Sequence, residues 1–110
     1  MTYRYIWKIK LDPKYSEEEF VKFWRETSQI LQEYPGAKGT KMTKVEGEAR
    51  TYLAIAEWES KAARDFMSQD SKAGKSERSK RWLKYSSNDH WGKTELVATT
   101  EEIGEVNPVK

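Results

Sequence analysis

Three features of this 110-residue sequence predict an α+β domain of order β-α-β-β-α-β. Residues 3–11 place Tyr3, Tyr5, Trp7, Ile9 and Leu11 on one parity, the period-two signature of a strand with one apolar face. Residues 20–34 repeat apolar side chains at helical spacing. Residues 51–58 are apolar on both parities, as in a strand buried on both faces. The order is that of a split βαβ, or ferredoxin-like, unit, with an antiparallel sheet and its helices on one side.

Each element has a local cause. Asp12-Pro13 ends the first strand. Ser16 followed by Glu19 forms a capping box, and the acidic run Glu17-Glu18-Glu19 suits the positive end of a helix dipole. That role accounts for the three carboxylates without a metal. Phe20, Phe23, Trp24, Thr27, Leu31 and Tyr34 give the helix its apolar stripe, and Pro35-Gly36 stops it. Residues 37–45 form a weaker strand with Met42 and Val45 as its large apolar residues, and Glu46 to Ala49 turn back. Ser60 caps a second helix with Ala62, Ala63, Phe66 and Met67 as its stripe. Beyond residue 68 the chain is basic, and Trp82, Leu83 and Tyr85 mark a resumed helix or a short further one. Residues 93–100 alternate again, with Leu96 and Ala98 on one parity and Val97 and Thr99 on the other. Residues 1–100 read as one domain and 101–110 as a tail.

The composition limits the chemistry. Leu, Ile, Val and Phe supply only 18 of the 110 residues, yet there are 5 Trp and 6 Tyr. The core is therefore expected to be built from rings, which carry much buried area each. A domain this size buries only about two-thirds of its unfolded surface, so a partner subunit would add stability. No cysteine is present and His90 is the single histidine, which excludes disulfides, thiolate metal centres and a multi-histidine site within one chain. No apolar run reaches membrane-spanning length, and a reducing, cytoplasmic location is expected. Gly92-Lys93-Thr94 imitates the end of a phosphate-binding loop, but position 87 is Ser where that loop needs glycine, and strand-like alternation follows.

The segment Tyr52-Leu53-Ala54-Ile55-Ala56-Glu57-Trp58-Glu59-Ser60-Lys61-Ala62-Ala63 resembles the strand-to-helix signature of the antibiotic biosynthesis monooxygenase family. Tyr34-Pro35-Gly36 resembles its step from helix to second strand. The resemblance implies a homodimeric α+β barrel in which two sheets pack face to face. It also implies oxygenase chemistry that needs no metal or cofactor. Trp58 matches the tryptophan that lines the pocket of the quinone-forming members. The asparagine four residues before that tryptophan is Ala54 here, and the tyrosine six residues after it is Arg64. The haem-degrading members place a histidine and a tryptophan where Glu77 and Met67 fall, and a first-strand asparagine near Trp7 or Lys8. Haem degradation is therefore not expected.

Candidate site residues follow from parity. Trp58 shares a face with Tyr52, Ala54 and Ala56, and the two alanines leave room beneath the helices. Tyr5, Trp7 and Trp24 can line that room, as a pocket for a small aromatic or apolar ligand, or fill it as ordinary core. Arg64 can hold a substrate oxygen, or pair on the surface with Glu57 or Asp65. His90, beside Asp89, can shuttle protons or simply occupy an exposed loop. Lys72, Lys75, Arg78, Lys80, Arg81 and Lys84 lie close to Trp82, Tyr85 and Trp91. Segment 72–84 can grip nucleic acid or form a solvated helix face. Three functions remain: a monooxygenase-like pocket, a non-catalytic ligand-binding or structural homodimer, and nucleic-acid binding.

Overall fold

The computed structural model describes residues 2–86 and 91–109. The elements are β1 (Tyr3–Leu11), α1 (Glu17–Leu31), β2 (Ala37–Lys44), β3 (Thr51–Trp58), α2 (Lys61–Ala73), α3 (Glu77–Ser86) and β4 (Gly92–Glu101). They form a four-stranded sheet in the order β2-β3-β1-β4, with every neighbouring pair antiparallel. This is the ferredoxin-like arrangement, with β3 inserted between β1 and β2.

The capping box is made in full. Ser16 Oγ accepts from the Glu19 amide at 3.1 Å, and Glu19 Oε2 accepts from the Ser16 amide at 3.1 Å. Ser60 Oγ likewise accepts from the Ala63 amide at 3.1 Å and starts α2. The second helical region is two helices. Gly74 ends α2 in a left-handed conformation (φ +68), which glycine adopts without strain, and α3 follows. The turn before β3 is held by Arg50, itself at φ +56, whose guanidinium donates to the carbonyls of Leu11, Asp12 and Tyr15. One side chain thereby ties the loop after β1 to the start of β3.

β1 follows its predicted parity, and two of its three rings meet small residues of β3, Tyr3 lying opposite Trp58. Tyr5 lies opposite Ala56 and Trp7 opposite Ala54. β4 departs from prediction. A register shift between Ile6 and Trp7 sets Trp7 opposite Leu96 but Ile6 opposite Ala98, so Val97 is an extra residue. Leu96 therefore belongs to the helix-facing side and Ala98 to the opposite side, whereas simple alternation groups them. β4 also settles the phosphate-loop imitation, because Gly92-Lys93-Thr94 opens a strand and not a helix. A Cβ on Gly92 would lie 1.9 Å from the Lys10 carbonyl oxygen, so only glycine fits.

The core divides into two clusters on the helix-facing side. Tyr5, Tyr34, Trp58 and Met67 make one; Ile9, Leu11, Phe20 and Tyr52 make the other. The opposite face carries Ile6, Leu53, Ile55 and Ala98 at its centre, all half-buried. Ion pairs rim it: Arg4 to Glu57 at 2.9 Å and to Glu102 at 3.2 Å, and Lys8 to Glu48 at 3.0 Å. No element of the described chain covers that face. The tail beyond β4 has no regular structure, and its Ile103, Val106 and Val109 are exposed. No helix among the described residues is long and apolar enough to cross a membrane.

Candidate functional site

A cavity of about 370 Å³ lies between the sheet and the helices and adjoins both core clusters. Its sheet side comes from Tyr5, Trp7, Ala54, Ala56 and Trp58. The room exists for the reason visible in the register: Tyr5 and Trp7 stand across from Ala56 and Ala54, so β3 raises no large side chain beside them. α1 contributes Phe23, Trp24, Thr27, Ser28 and Leu31, a stripe at helical spacing. α2 contributes Arg64 and Met67, and Trp82 of α3 and Trp91 close the remaining walls. Trp91 packs against Phe23 at 5.2 Å and Tyr15 at 4.5 Å between ring centroids.

Five of the six expected site residues meet here: Tyr5, Trp7, Trp24, Trp58 and Arg64. The sixth, Tyr52, does not line the cavity. Its hydroxyl donates to Glu17 Oε1 at 2.9 Å, and Phe20 packs over its ring at 5.5 Å. Burial raises its phenol pKa, and the neighbouring Glu17 raises it further. Glu17 in turn takes a 2.8 Å ion pair from Lys44. Tyr52 thus fastens α1 to β3.

Arg64 does not take the surface pairing open to it. Glu57 is engaged by Arg4 and by Lys41, the latter at 3.5 Å. The Arg64 guanidinium instead sits 4.3 Å above the centroid of the Tyr5 ring, a cation–π contact, at the cavity wall. It makes no ion pair or side-chain hydrogen bond among the described residues. Trp58 is 1 % exposed, and its indole Nε1 has no hydrogen-bond partner among them. A buried donor without an acceptor costs about 1–3 kcal/mol. Thr27 is different, since its hydroxyl already donates to the carbonyls of Phe23 and Trp24.

The described walls of the cavity are therefore mostly apolar, with Arg64, Thr27, Ser28, Thr40 and Thr94 as the polar lining residues. No carboxylate or histidine lines it among the described residues, and no cluster there could hold a metal ion. His90 lies outside the described residues. The basic segment is partly spoken for. Arg81 makes a two-pronged ion pair with Glu33 at 2.5 and 2.6 Å. Arg78 stacks 4.3 Å over the Tyr34 ring and donates to the Glu33 carbonyl. Phe23, Met67, Trp82 and Trp91 were not singled out for the site from sequence. The first two were visible as stripe residues, but nothing in the sequence locates where three helices converge.

No family model matches the chain, and no curated protein does. Solved structures do. SnoaB, a cofactor-independent oxygenase from Streptomyces nogalater, superposes with a TM-score of 0.71 at 12% identity, over 97% of this chain and 98% of that one. A protein provisionally named as an antibiotic biosynthesis monooxygenase from Bordetella bronchiseptica gives 0.66 at 14% identity, over 93% and 97%. A conserved protein of unknown function from Bacteroides thetaiotaomicron gives 0.64 at 9% identity, over 92% and 97%. At these identities the likeness is one of fold. The chain has the ferredoxin-like fold of the antibiotic biosynthesis monooxygenase-like proteins.

Proposed function

We propose that this protein is a cofactor-independent oxygenase-like enzyme that binds a flat, apolar small molecule between sheet and helices. The observation that carries the reading is the aromatic-walled cavity of about 370 Å³ in a fold shared with SnoaB. That volume lies in the range of small-molecule sites.

The chemistry asks little of the protein. A substrate with an acidic C–H flanked by rings and a carbonyl loses a proton to give a carbanion. The carbanion adds molecular oxygen, and the resulting peroxide eliminates water to leave a new carbonyl. The substrate CH₂ becomes C=O, one oxygen atom enters the product, and the other leaves as water. The protein orients the substrate, keeps bulk water away and stabilises the anion. Rings such as Trp7, Trp24 and Trp58 supply the first two. Arg64 supplies the third, because a guanidinium beside the substrate oxygen favours the ionised form. With no carboxylate or histidine in the described walls, the substrate must itself be acidic enough to ionise in this field.

Anthrone, whose oxidation gives anthraquinone and water, is a suitable probe. The protein should raise the rate of anthraquinone formation and oxygen uptake above the spontaneous rate. Ala54→Phe, which fills the cavity, should abolish the increase while leaving the thermal melt in place. Anthrone that quenches the tryptophans but oxidises at the spontaneous rate would refute the oxygenase reading and leave a binding protein.

The working unit is proposed to be a homodimer. Ile6, Leu53, Ile55 and Ala98 form an apolar centre rimmed by ion pairs, a pattern that suits a second copy of the same face.

A further inference from the structure

We infer that residues 103–109 form an arm that crosses to a second copy of this chain and packs on its uncovered sheet face. The inference rests on the proposed homodimer and names the segment that joins its two copies.

The arm has nothing to bury against in its own chain. Ile103, Val106 and Val109 are 92, 96 and 98 % exposed, more than any other large apolar side chain among the described residues. Apolar groups so open to solvent are ordinarily covered by something. The path of the backbone explains why their own sheet does not cover them. The Glu102 amide donates to the Thr2 carbonyl at 2.8 Å, so the pairing with β4 reaches the very start of β1. Residues 102–109 form neither a turn nor a sharp bend. The segment therefore runs on past the end of the sheet and does not return over it. The radius of gyration agrees, at 14.9 Å against about 13 Å for a compact domain of this length.

The same chain carries the surface that the arm lacks. Ile6, Leu53, Ile55 and Ala98 make an apolar sheet centre that no described element covers. Two copies related by a two-fold axis satisfy both needs at once, because each gives an arm and receives one. The reach is sufficient: residues 103–109, extended, span about 23 Å, against about 30 Å for the 9 residues of β1. Charge points to the same occupant. Lys10 and Lys93 stand directly opposite each other on the uncovered face, and neither has a carboxylate partner among the described residues. Like charges so placed repel, and a carboxylate beside them relieves the repulsion. Glu105 of the arm is such a carboxylate, itself without a partner among the described residues.

Analytical ultracentrifugation of the native chain and of a variant combining Ile103→Ser, Val106→Ser and Val109→Ser tests this. The native chain should be a dimer, and the variant's dimer dissociation constant should be at least about tenfold higher. The three side chains bury nothing in their own chain, so the variant should keep the native far-ultraviolet circular dichroism. A nitroxide then places the arm. Asn107→Cys, in a chain with no other cysteine, carries the label at one point. Mixed with isotope-labelled native chain, it should broaden the amide signals of Ile6, Leu53 and Ile55 in the native copy. A native dimer whose affinity is unchanged in the triple variant, or in which those three signals stay sharp, overturns the arm and leaves the homodimer. A native chain that stays monomeric overturns both.

Discussion

Replacing Tyr34 by Phe should weaken the protein at neutral pH and lose that effect in alkali. Tyr34 sits in the turn after α1, 2 % exposed. Its hydroxyl donates to Asp70 Oδ2 of α2 at 2.8 Å. The same oxygen accepts from Ser76 Oγ, ahead of α3, at 2.6 Å, and Arg78 Nε stands 3.7 Å away. One carboxylate oxygen thus joins three helical segments. A hydrogen bond to a charged acceptor is worth about 1.5–3 kcal/mol. Asp70 keeps two partners in Tyr34→Phe, so the lower end, about 1.5 kcal/mol, is expected. Burial, and then the hydrogen bond to Asp70, push the Tyr34 phenol up to about 12. The unfolded chain titrates at an ordinary pKa of about 10. A folded-state pKa raised in this way gives stability that is complete below about pH 10 and lost as pH rises towards 12. The loss runs at about 1.4 kcal/mol per pH unit over that window. Native protein should therefore lead Tyr34→Phe at pH 8 and draw level near about pH 11. Urea denaturation followed by tryptophan fluorescence at both pH values measures the lead. Tyr52, also raised by burial, is present in both proteins and cancels in the difference. A lead that is the same at the two pH values would refute the reasoning.

Two other substitutions probe the sheet. Gly92→Ala drives a Cβ into the Lys10 carbonyl, and backbone cannot yield there without unpairing β1 from β4. The expected loss is at least about 3 kcal/mol by thermal or chemical denaturation. Gly104→Ala, with no atom within 4 Å of its new carbon, should melt like the native protein. Ile55→Glu places a charge in the apolar centre of the uncovered sheet face; light scattering should report a dimer for the native chain and a folded monomer for the variant.

The legible parts of the fold are those written in local chemistry. Ser16 and Glu19, Pro35-Gly36, and the β1 parity each act within a few residues, and each appears as expected. The site was legible to the extent that parity decides it. Tyr5, Trp7 and Trp58 share a face, and Ala54 and Ala56 stand across from the rings. Tyr52 shares that face too, yet lies outside the cavity. Parity gives a direction but not a partner, and Glu17, 35 residues away, claims its hydroxyl. Arg64 shows the same limit from the other side. A surface pairing with Glu57 was open by sequence, but the ion pairs of Arg4 and Lys41 occupy that carboxylate. Trp82 and Trp91 reach the cavity through the packing of α3 and the chain that follows it, which no periodicity encodes.

The extra residue in β4 acts as a frame marker for the end of the chain. Before it, Leu96 is in phase with Trp7; after it, Ala98 is in phase with Ile6. Deleting Val97 would remove the bulge and keep every later residue opposite its present β1 partner, on its present face. Glu102 would stay on the face of Arg4, and their 3.2 Å ion pair would be kept. The strand can therefore lose this one residue and hold its register. A second deletion there would exchange the two surfaces of the rest of the sheet's last strand.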